Sequence, residues 1–428
     1  MGRRRFYLCQ RETIGIGGLV SIAGFFEHDF TFWKFKVPKR ILVPLIVVLA
    51  AKVLGAAFIY ASMNVQTLGT FWTDPARVFS WPQNQVFLRY TGTGGNFPFV
   101  FVGWDSAWYL SIITNGYAFS PQTFTFMPGL PVAGFLFNLV FQNPLNAVAA
   151  SALVFGVLWV PFYQLLAEHY IGKQAALASV LVMAFSPYLF VFTTVVYGEG
   201  LFLFFTLSSW YLFTKRKGSA SSVLAGVAAL TRVTGIIVVL PMLYSSIRRK
   251  TEHRARNVVL SILPFAAVAM WLGYCSTVSG DLLASIHTTE WGGLYTVPSF
   301  LLHDLPQMGL KAFYEIPLQT WPALQFWLSP AAMFIALALP PFLIYKLTKM
   351  DRSLALYSLA GYIGFVVFGA IVSAPRFASV LFPLWLPLTA KLTLKSRKQI
   401  VLVAAVLAIS LVISLDMWMS FLNGQFVA

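Results

Sequence analysis

The sequence predicts an all-α polytopic membrane protein, and its composition, hydropathy and charge distribution all favour that fold class. Of the 428 residues, 58% are hydrophobic and 10% are charged, whereas charged residues supply about a quarter of an ordinary soluble domain. Mean hydropathy is +0.75, and apolar runs of roughly 15–25 residues, long enough to cross a bilayer as helices, recur along the chain. Because a water-soluble domain could not cover this much apolar surface, the soluble classes are excluded.

Eleven apolar segments are predicted to cross the membrane. They are 42–62, 146–166, 174–194, 199–213, 219–232, 234–247, 258–278, 326–345, 353–373, 377–390 and 400–418. A further apolar run at 128–141 begins in a Pro-Gly-Leu-Pro motif and is too short to cross comfortably. We therefore predict that 128–141 is a juxtamembrane helix at the outer interface.

The positive charges predict the orientation of the chain. With eleven crossings and a cytoplasmic N-terminus, 24 of the 30 Lys and Arg residues fall in the cytoplasmic segments, as the positive-inside rule requires. These segments are 1–41, 167–173, 214–218, 248–257, 346–352 and 391–399. They also account for most of the net charge of +16, so no nucleic-acid partner is predicted.

The domain organisation follows from these spans. Residues 1–41 are predicted to form a cytoplasmic amphipathic arm, and 42–428 a single transmembrane domain. Two long outer loops, at about 63–145 and 279–325, contain many Pro, Gly, Trp and Tyr residues. Because Trp and Tyr combine an apolar ring with a polar tip, they favour the membrane interface. Because the charge-based topology puts both loops on the outer side, the active face is predicted to be extracellular or luminal.

Asp105 is the first candidate for chemistry, since it lies among aromatic residues beside the bilayer. An isolated carboxylate at that depth is costly unless it has partners or a task. Asp is also a favoured helix N-cap, and Asn115-Gly116 would end the helix that it begins. Capping and catalysis are compatible roles for this residue.

Glu199, Arg232 and Arg376 lie at span ends on the same predicted face as Asp105. Each also has a structural interpretation: a solvated turn for the glutamate, and snorkelling to headgroups for the arginines. Together they suit one reaction class, because Arg binds phosphate bidentately and a carboxylate can serve as a general base. The combination predicts glycosyl transfer from a lipid-phosphate sugar.

His287 and Glu290 are three residues apart and would share a helix face, where they could help to bind sugar or a metal. Neither an HExxH motif nor a second histidine cluster accompanies them, so no metal cofactor is indicated. Lys52 lies within the first span, where a charge is expensive, and the sequence shows no partner for it.

Several blocks of the chain resemble PIG-V-type mannosyltransferases, which add the second mannose to GPI anchors and have prokaryotic relatives. The first block, GWDSAWYLSIITNGY followed by FTFMPGLP, resembles the WD…GY and FxPxxP signatures of that family. The segments FSPYLFVFTTVVYGEGLFLFFTLSSWYLF and AGVAALTRVTGIIVVLP resemble two further blocks, and SGDLLASIHTTEW and SAPRFASVLFPL are weaker resemblances. The blocks occur in family order from about residue 100 to 387.

This resemblance implies a GT-C glycosyltransferase fold, with juxtamembrane helices and a catalytic acid in the first outer loop. Asp105 occupies that position and is predicted to be the general base. The implied donor is a polyprenyl (dolichyl) phosphate mannose, used with inversion and without a nucleotide sugar. Gly200 follows Glu199 where eukaryotic relatives often have Ser, which favours a prokaryotic or archaeal relative acting on another glycan or glycolipid.

The remaining candidates receive roles around that reaction. Glu199 is predicted to orient acceptor or donor hydroxyls, and the two arginines to hold the donor phosphate. Trp104, Trp108 and Tyr109 would wall the substrate pocket, although interfacial packing explains such aromatics equally. No oligomeric state is predicted.

Two other classes of protein are compatible with a polytopic chain that carries charges. A transporter or flippase of lipid-linked sugars predicts polar groups near the bilayer midplane and related halves. Here the polar groups lie at span ends, and no halves repeat. A non-catalytic assembly factor would leave Asp105 replaceable.

Overall fold

A computed structural model describes the ranges 29–32, 35–65, 97–248, 254–287, 323–369 and 373–422. Within them, β1 (Asp29–Phe32) and β2 (Phe35–Pro38) form an antiparallel hairpin in which Asp29 pairs with Pro38. The amphipathic pattern of 1–41 did not predict this hairpin, and residues 1–28 lie outside the described ranges. The rest of the described secondary structure is helical.

Most of the described helices follow one another through short connections. In chain order the α-helices are α1 (Lys39–Val65), α2 (Ser106–Asn115), α3 (Gly129–Phe141), α4 (Pro144–Ile171), α5 (Lys173–Ala184), α6 (Pro187–Phe192), α7 (Glu199–Thr214), α8 (Gly218–Thr231), α9 (Val239–Arg248), α10 (Arg254–Ser279), α11 (Ala284–His287), α12 (Ala323–Met350), α13 (Arg352–Phe368), α14 (Ala374–Ser379), α15 (Trp385–Thr389) and α16 (Arg397–Leu422). The 3₁₀ helices among them are Phe97–Phe101, Tyr117–Phe119, Pro121–Thr125, Val233–Val238 and Phe382–Leu384.

Five helices in the described ranges are long and apolar enough to cross a membrane. They are Lys39–Ser62, Pro144–Ile171, Arg254–Ser279, Ala331–Met350 and Arg397–Leu422. Several shorter apolar helices accompany them. The predicted class of helical, membrane-type protein is therefore confirmed, whereas the count of eleven spans and their orientation stay predictions.

Two predicted spans are interrupted in the structure. The segment 174–194 divides into α5 and α6 at Ser186, which has the extended backbone (φ −60°, ψ 135°) that a following proline favours. The segment 377–390 is likewise divided between α14, a 3₁₀ turn containing Pro383, and α15. The run 128–141 forms the helix α3, as predicted, and its position relative to a membrane stays a prediction.

The core is built around α7, which packs against α4 on one side and α8 on the other. Gly200 of α7 meets Gly156 of α4 so closely that a Cβ at Gly200 would lie 2.7 Å from the Gly156 Cα. Small residues allow helix backbones to approach in this way. The close contact fixes the first turn of α7, where Glu199 begins the helix.

Lys52 is fully buried and has partners that its sequence context does not reveal. Its Nζ donates to Thr193 Oγ1 at 2.7 Å, to Thr194 Oγ1 at 2.8 Å and to the Phe190 carbonyl at 3.3 Å. These acceptors lie at the end of α6 and just beyond it. Lys52 therefore ties α1 to the segment that leads into the candidate site.

Candidate active site

The loop between α6 and α7 is bonded to the segment that begins α2. The Val196 N–H donates to the Phe101 carbonyl at 2.8 Å, and the Ser106 hydroxyl donates to the Val196 carbonyl at 3.0 Å. The Asp105 N–H donates to the Tyr197 hydroxyl at 3.3 Å. Two sequence blocks about ninety residues apart are thus joined along their backbones.

Asp105 directly precedes α2, but its side chain makes no capping hydrogen bond. Its backbone is helical (φ −58°, ψ −18°) rather than in the extended conformation typical of an N-cap. The preceding residue, Trp104, has a φ of 49°, which bulky side chains rarely adopt and which is found mainly at functional sites. The carboxylate is therefore not used as a cap, and the backbone before it is strained.

Glu199, Arg232 and Arg376 meet in one ionic cluster. The fully buried Glu199 accepts a hydrogen bond from Arg232 Nη1 through Oε1, and this oxygen lies 3.5 Å from Arg376 Nε. The two arginine side chains are 18% and 12% exposed. The second carboxylate oxygen, Glu199 Oε2, is buried and receives no hydrogen bond from any described residue.

Aromatic rings hold the two guanidinium groups in place. The Arg376 guanidinium lies 5.1 Å from the ring centre of Phe192, 5.5 Å from Tyr197 and 5.1 Å from Phe377. Arg232 lies 5.4 Å from the same Phe377 ring. Cation–π contacts of this kind restrain an arginine without neutralising its charge.

Sequence reasoning missed these three aromatic residues. Only Tyr197 carried a usable signal, because it is the tyrosine of the Tyr-Gly-Glu motif that precedes α7. Phe192 and Phe377 are indistinguishable by sequence among the 40 phenylalanines of the chain.

Burial and the neighbouring ionic cluster together shift the pKa of Asp105, which is half-buried. Burial raises the pKa of Asp105 above its ordinary value; Arg376 opposes this rise, and the negative charge of Glu199 adds to it. A carboxylate with a raised pKa holds a proton more tightly than an ordinary aspartate. Such a group is better suited to act as a general base.

Of the three aromatic residues predicted to wall the pocket, Tyr109 and Trp108 contact Phe126, whereas Trp104 packs elsewhere. Tyr109 meets the Phe126 ring edge-on at 5.2 Å, and its hydroxyl lies 3.7 Å from the point where a Cβ on Gly198 would stand. The Tyr109 hydroxyl therefore lies beside Gly198, the residue that precedes Glu199. Burial is the main reason that the pKa of its phenol is raised, so the hydroxyl stays protonated. Trp108 stacks on Phe126 at 5.9 Å, and Trp104 packs against the main core.

His287, the last residue of α11, pairs with Asp281 rather than with a residue of the ionic cluster. Its Nδ1 is 2.7 Å from Asp281 Oδ2, and the two side chains are 61% and 39% exposed. Its predicted partner Glu290 lies outside the described residues. In the described ranges no three His, Cys, Asp or Glu side chains are grouped in a way that could hold a metal ion.

The fold and this cluster define a helical, membrane-type protein with a buried ionic site. No protein-family model matches the chain. The chain is 30% identical over 162 residues to GPI alpha-1,6-mannosyltransferase 2 of Mus musculus. The aligned segment covers 34% of this chain and 31% of the mouse protein. The predicted resemblance to PIG-V-type mannosyltransferases is thereby confirmed, over less than a third of the relative's length.

Two solved structures are similar to the chain at low sequence identity. One is the oligosaccharyltransferase AglB from Archaeoglobus fulgidus in complex with an inhibitory peptide and dolichol-phosphate, with 13% identity and a TM-score of 0.44 over 88% of this chain and 56% of that one. The other is ArnT from Cupriavidus metallidurans bound to undecaprenyl phosphate, with 13% identity and a TM-score of 0.42 over 76% of this chain and 72% of that one.

Proposed function

We propose that this protein is a GT-C-type glycosyltransferase that moves mannose from a polyprenyl (dolichyl) phosphate mannose to a hydroxyl of a glycan or glycolipid. The observation that carries the proposal is the buried Glu199 between Arg232 and Arg376, electrostatically coupled to Asp105. The motif resemblance and the partial identity to a mannosyltransferase support the choice of sugar.

The arginines suit a donor with a single negative charge. Arg232 and Arg376 carry two positive charges, and Glu199 balances one of them. The three side chains of the ionic cluster therefore carry one net positive charge, which attracts the phosphodiester of the donor, and the ionised Asp105 nearby offsets part of that attraction. Guanidinium forks bind phosphate oxygens bidentately, and the same charge stabilises the polyprenyl phosphate as it leaves.

Asp105 is proposed as the general base. It accepts the proton of the acceptor hydroxyl while that oxygen attacks the anomeric carbon and the bond from carbon to phosphate oxygen breaks. A single displacement of this kind inverts the anomeric configuration. The raised pKa of Asp105 brings its basicity closer to that of the hydroxyl it must deprotonate.

Glu199 is proposed to orient a substrate hydroxyl through Oε2. A buried carboxylate oxygen without a donor is costly, and Glu199 Oε2 has none among the described residues. A sugar hydroxyl that donates to it would remove that cost and fix the position of the ring.

The direct test is transfer by the purified full chain in proteoliposomes. With radiolabelled polyprenyl-phosphate mannose and a membrane glycolipid extract, we expect a labelled glycolipid without any nucleotide sugar. Net movement of the labelled donor across the bilayer without labelled product would contradict the proposal and favour a flippase.

A further inference from the structure

A polar cavity lies at the opposite end of α7 from Glu199. Because α7 has 16 residues, its two ends are about 24 Å apart. At the far end a cavity of about 410 Å³ opens where α7 ends, α8 begins, α9 ends and α10 begins. The charge pattern assigns this end to the cytoplasm, so the cavity lies outside the proposed active site.

The lining of this cavity is cationic and polar. Arg216 and Arg256 supply two guanidinium groups, and none of the residues that line the cavity is acidic. Across the described ranges, the ion pairs involve other residues and leave these two arginines without a carboxylate partner. Two unneutralised cations in one recess favour a bound anion.

Five serines line the cavity, and several of their hydroxyls already bond within the protein. The lining serines are Ser219, Ser222, Ser245, Ser246 and Ser261. Ser246 Oγ lies 3.1 Å from Ser261 Oγ, and Ser261 donates to the Asn257 carbonyl at 2.7 Å. The first of these contacts joins α9 to α10, so two of the helices that line the recess are bonded to each other.

We propose that this cavity binds a phosphate-bearing anion, held by Arg216 and Arg256 in the serine-lined recess. Guanidinium groups are the donors that match phosphate oxygens. The volume of about 410 Å³ accommodates a phosphorylated headgroup rather than a bare ion. The same chemistry is presented by an acidic lipid of the adjacent leaflet and by a soluble phosphate ester.

The test compares melting temperatures of the full chain in nanodiscs. One sample contains neutral phosphatidylcholine alone, a second adds phosphatidylglycerol, and a third adds glycerol 3-phosphate to neutral discs. We expect one of the two anions to raise the melting temperature by about 2–4 °C. A rise with the lipid alone identifies a headgroup, and a rise with glycerol 3-phosphate identifies a soluble ester.

The matched variants distinguish a specific anion site from nonspecific electrostatic attraction. Arg216→Gln with Arg256→Gln is expected to abolish the rise. Lys215→Gln with Arg254→Gln removes two charges from the same segments, outside the cavity lining, and is expected to keep it. No rise with either anion, or an equal loss in both double variants, would overturn the proposal. If the first pair does not fold, Arg216→Lys with Arg256→Lys replaces it, and an undiminished rise in that pair also overturns the proposal.

Discussion

At the scale of single residues, the central feature is one buried carboxylate shared by two arginines. A buried carboxylate without such partners would be an uncompensated charge in the protein interior. In the proposed mechanism, Glu199 and the donor phosphate compete for the same guanidinium groups. Removing the charge of Glu199 should therefore strengthen donor binding and slow the reaction.

Glu199→Gln is expected to strengthen donor binding while slowing transfer. Removing the negative charge frees Arg232 and Arg376 for the phosphate, but it also loses the acceptor that positions a hydroxyl. We expect kcat to fall about 100-fold and the donor Kd to decrease. Glu168→Gln, which alters a remote pair with Arg40 at 3.1 Å, is the control. Weaker donor binding in Glu199→Gln would contradict this account of the arginines.

The pH dependence of transfer should report Asp105. A base acts when it is ionised, so kcat/KM rises with pH through the pKa of this carboxyl, which lies above the ordinary value of about 3.9. Because Arg376 lowers that pKa, Arg376→Gln is expected to move the acid limb of the profile to higher pH. A limb that stays in place, or moves to lower pH, would show that Asp105 does not govern the rate.

At the scale of elements, the site depends on how α7 is seated against α4. Glu199 is the first residue of α7, and the next residue, Gly200, makes the close approach to Gly156. Gly200 is thus required by packing. A side chain at this position would displace the carboxylate.

Gly200→Ala is expected to destabilise the protein by about 1–3 kcal/mol, because its Cβ would meet the backbone of α4. Gly273→Ala provides the control, since a Cβ at that helical position has open space around it. Thermal unfolding in detergent should show a lower melting temperature for the first variant and an equal or higher one for the second. Equal stability of Gly200→Ala and the wild type would show that α4 and α7 are not in backbone contact.

The strength of the hydrogen bond between Lys52 of α1 and Thr194, just beyond α6, can be measured by a double-mutant cycle. Lys52→Met and Thr194→Val each remove one side of the 2.8 Å hydrogen bond. Residues in contact couple by about 0.5–3 kcal/mol, so we expect the double variant to lose less free energy of unfolding than the sum of the single variants. Strict additivity would mean that Lys52 does not bond to Thr194.

Elements were predictable from the sequence where length and hydropathy alone decide them. The long helices and α3 follow from apolar runs, whereas the breaks near Pro187 and Pro383 depend on local backbone geometry that a hydropathy pattern ignores. The gathering of Glu199, Arg232 and Arg376 could be expected because all three lie at span ends. The partners of Lys52 could not, because threonines 141 and 142 residues away carry no distinctive signal.

At the scale of the whole molecule, polar chemistry is concentrated at the two ends of α7. One end carries the ionic cluster beside Asp105, and the other carries the cavity with Arg216 and Arg256. The apolar helices between them suit a bilayer. In the predicted topology, the proposed reaction lies at one membrane surface and the proposed anion site at the other.

The most direct test of the central claim is single-turnover transfer by Asp105→Asn with radiolabelled polyprenyl-phosphate mannose. We expect the rate to fall by about 10²–10⁴-fold, with donor binding and melting temperature retained. Asp351→Asn is the control, because asparagine caps a helix as well as aspartate and this residue caps α13. Wild-type transfer by Asp105→Asn would contradict its role as the base.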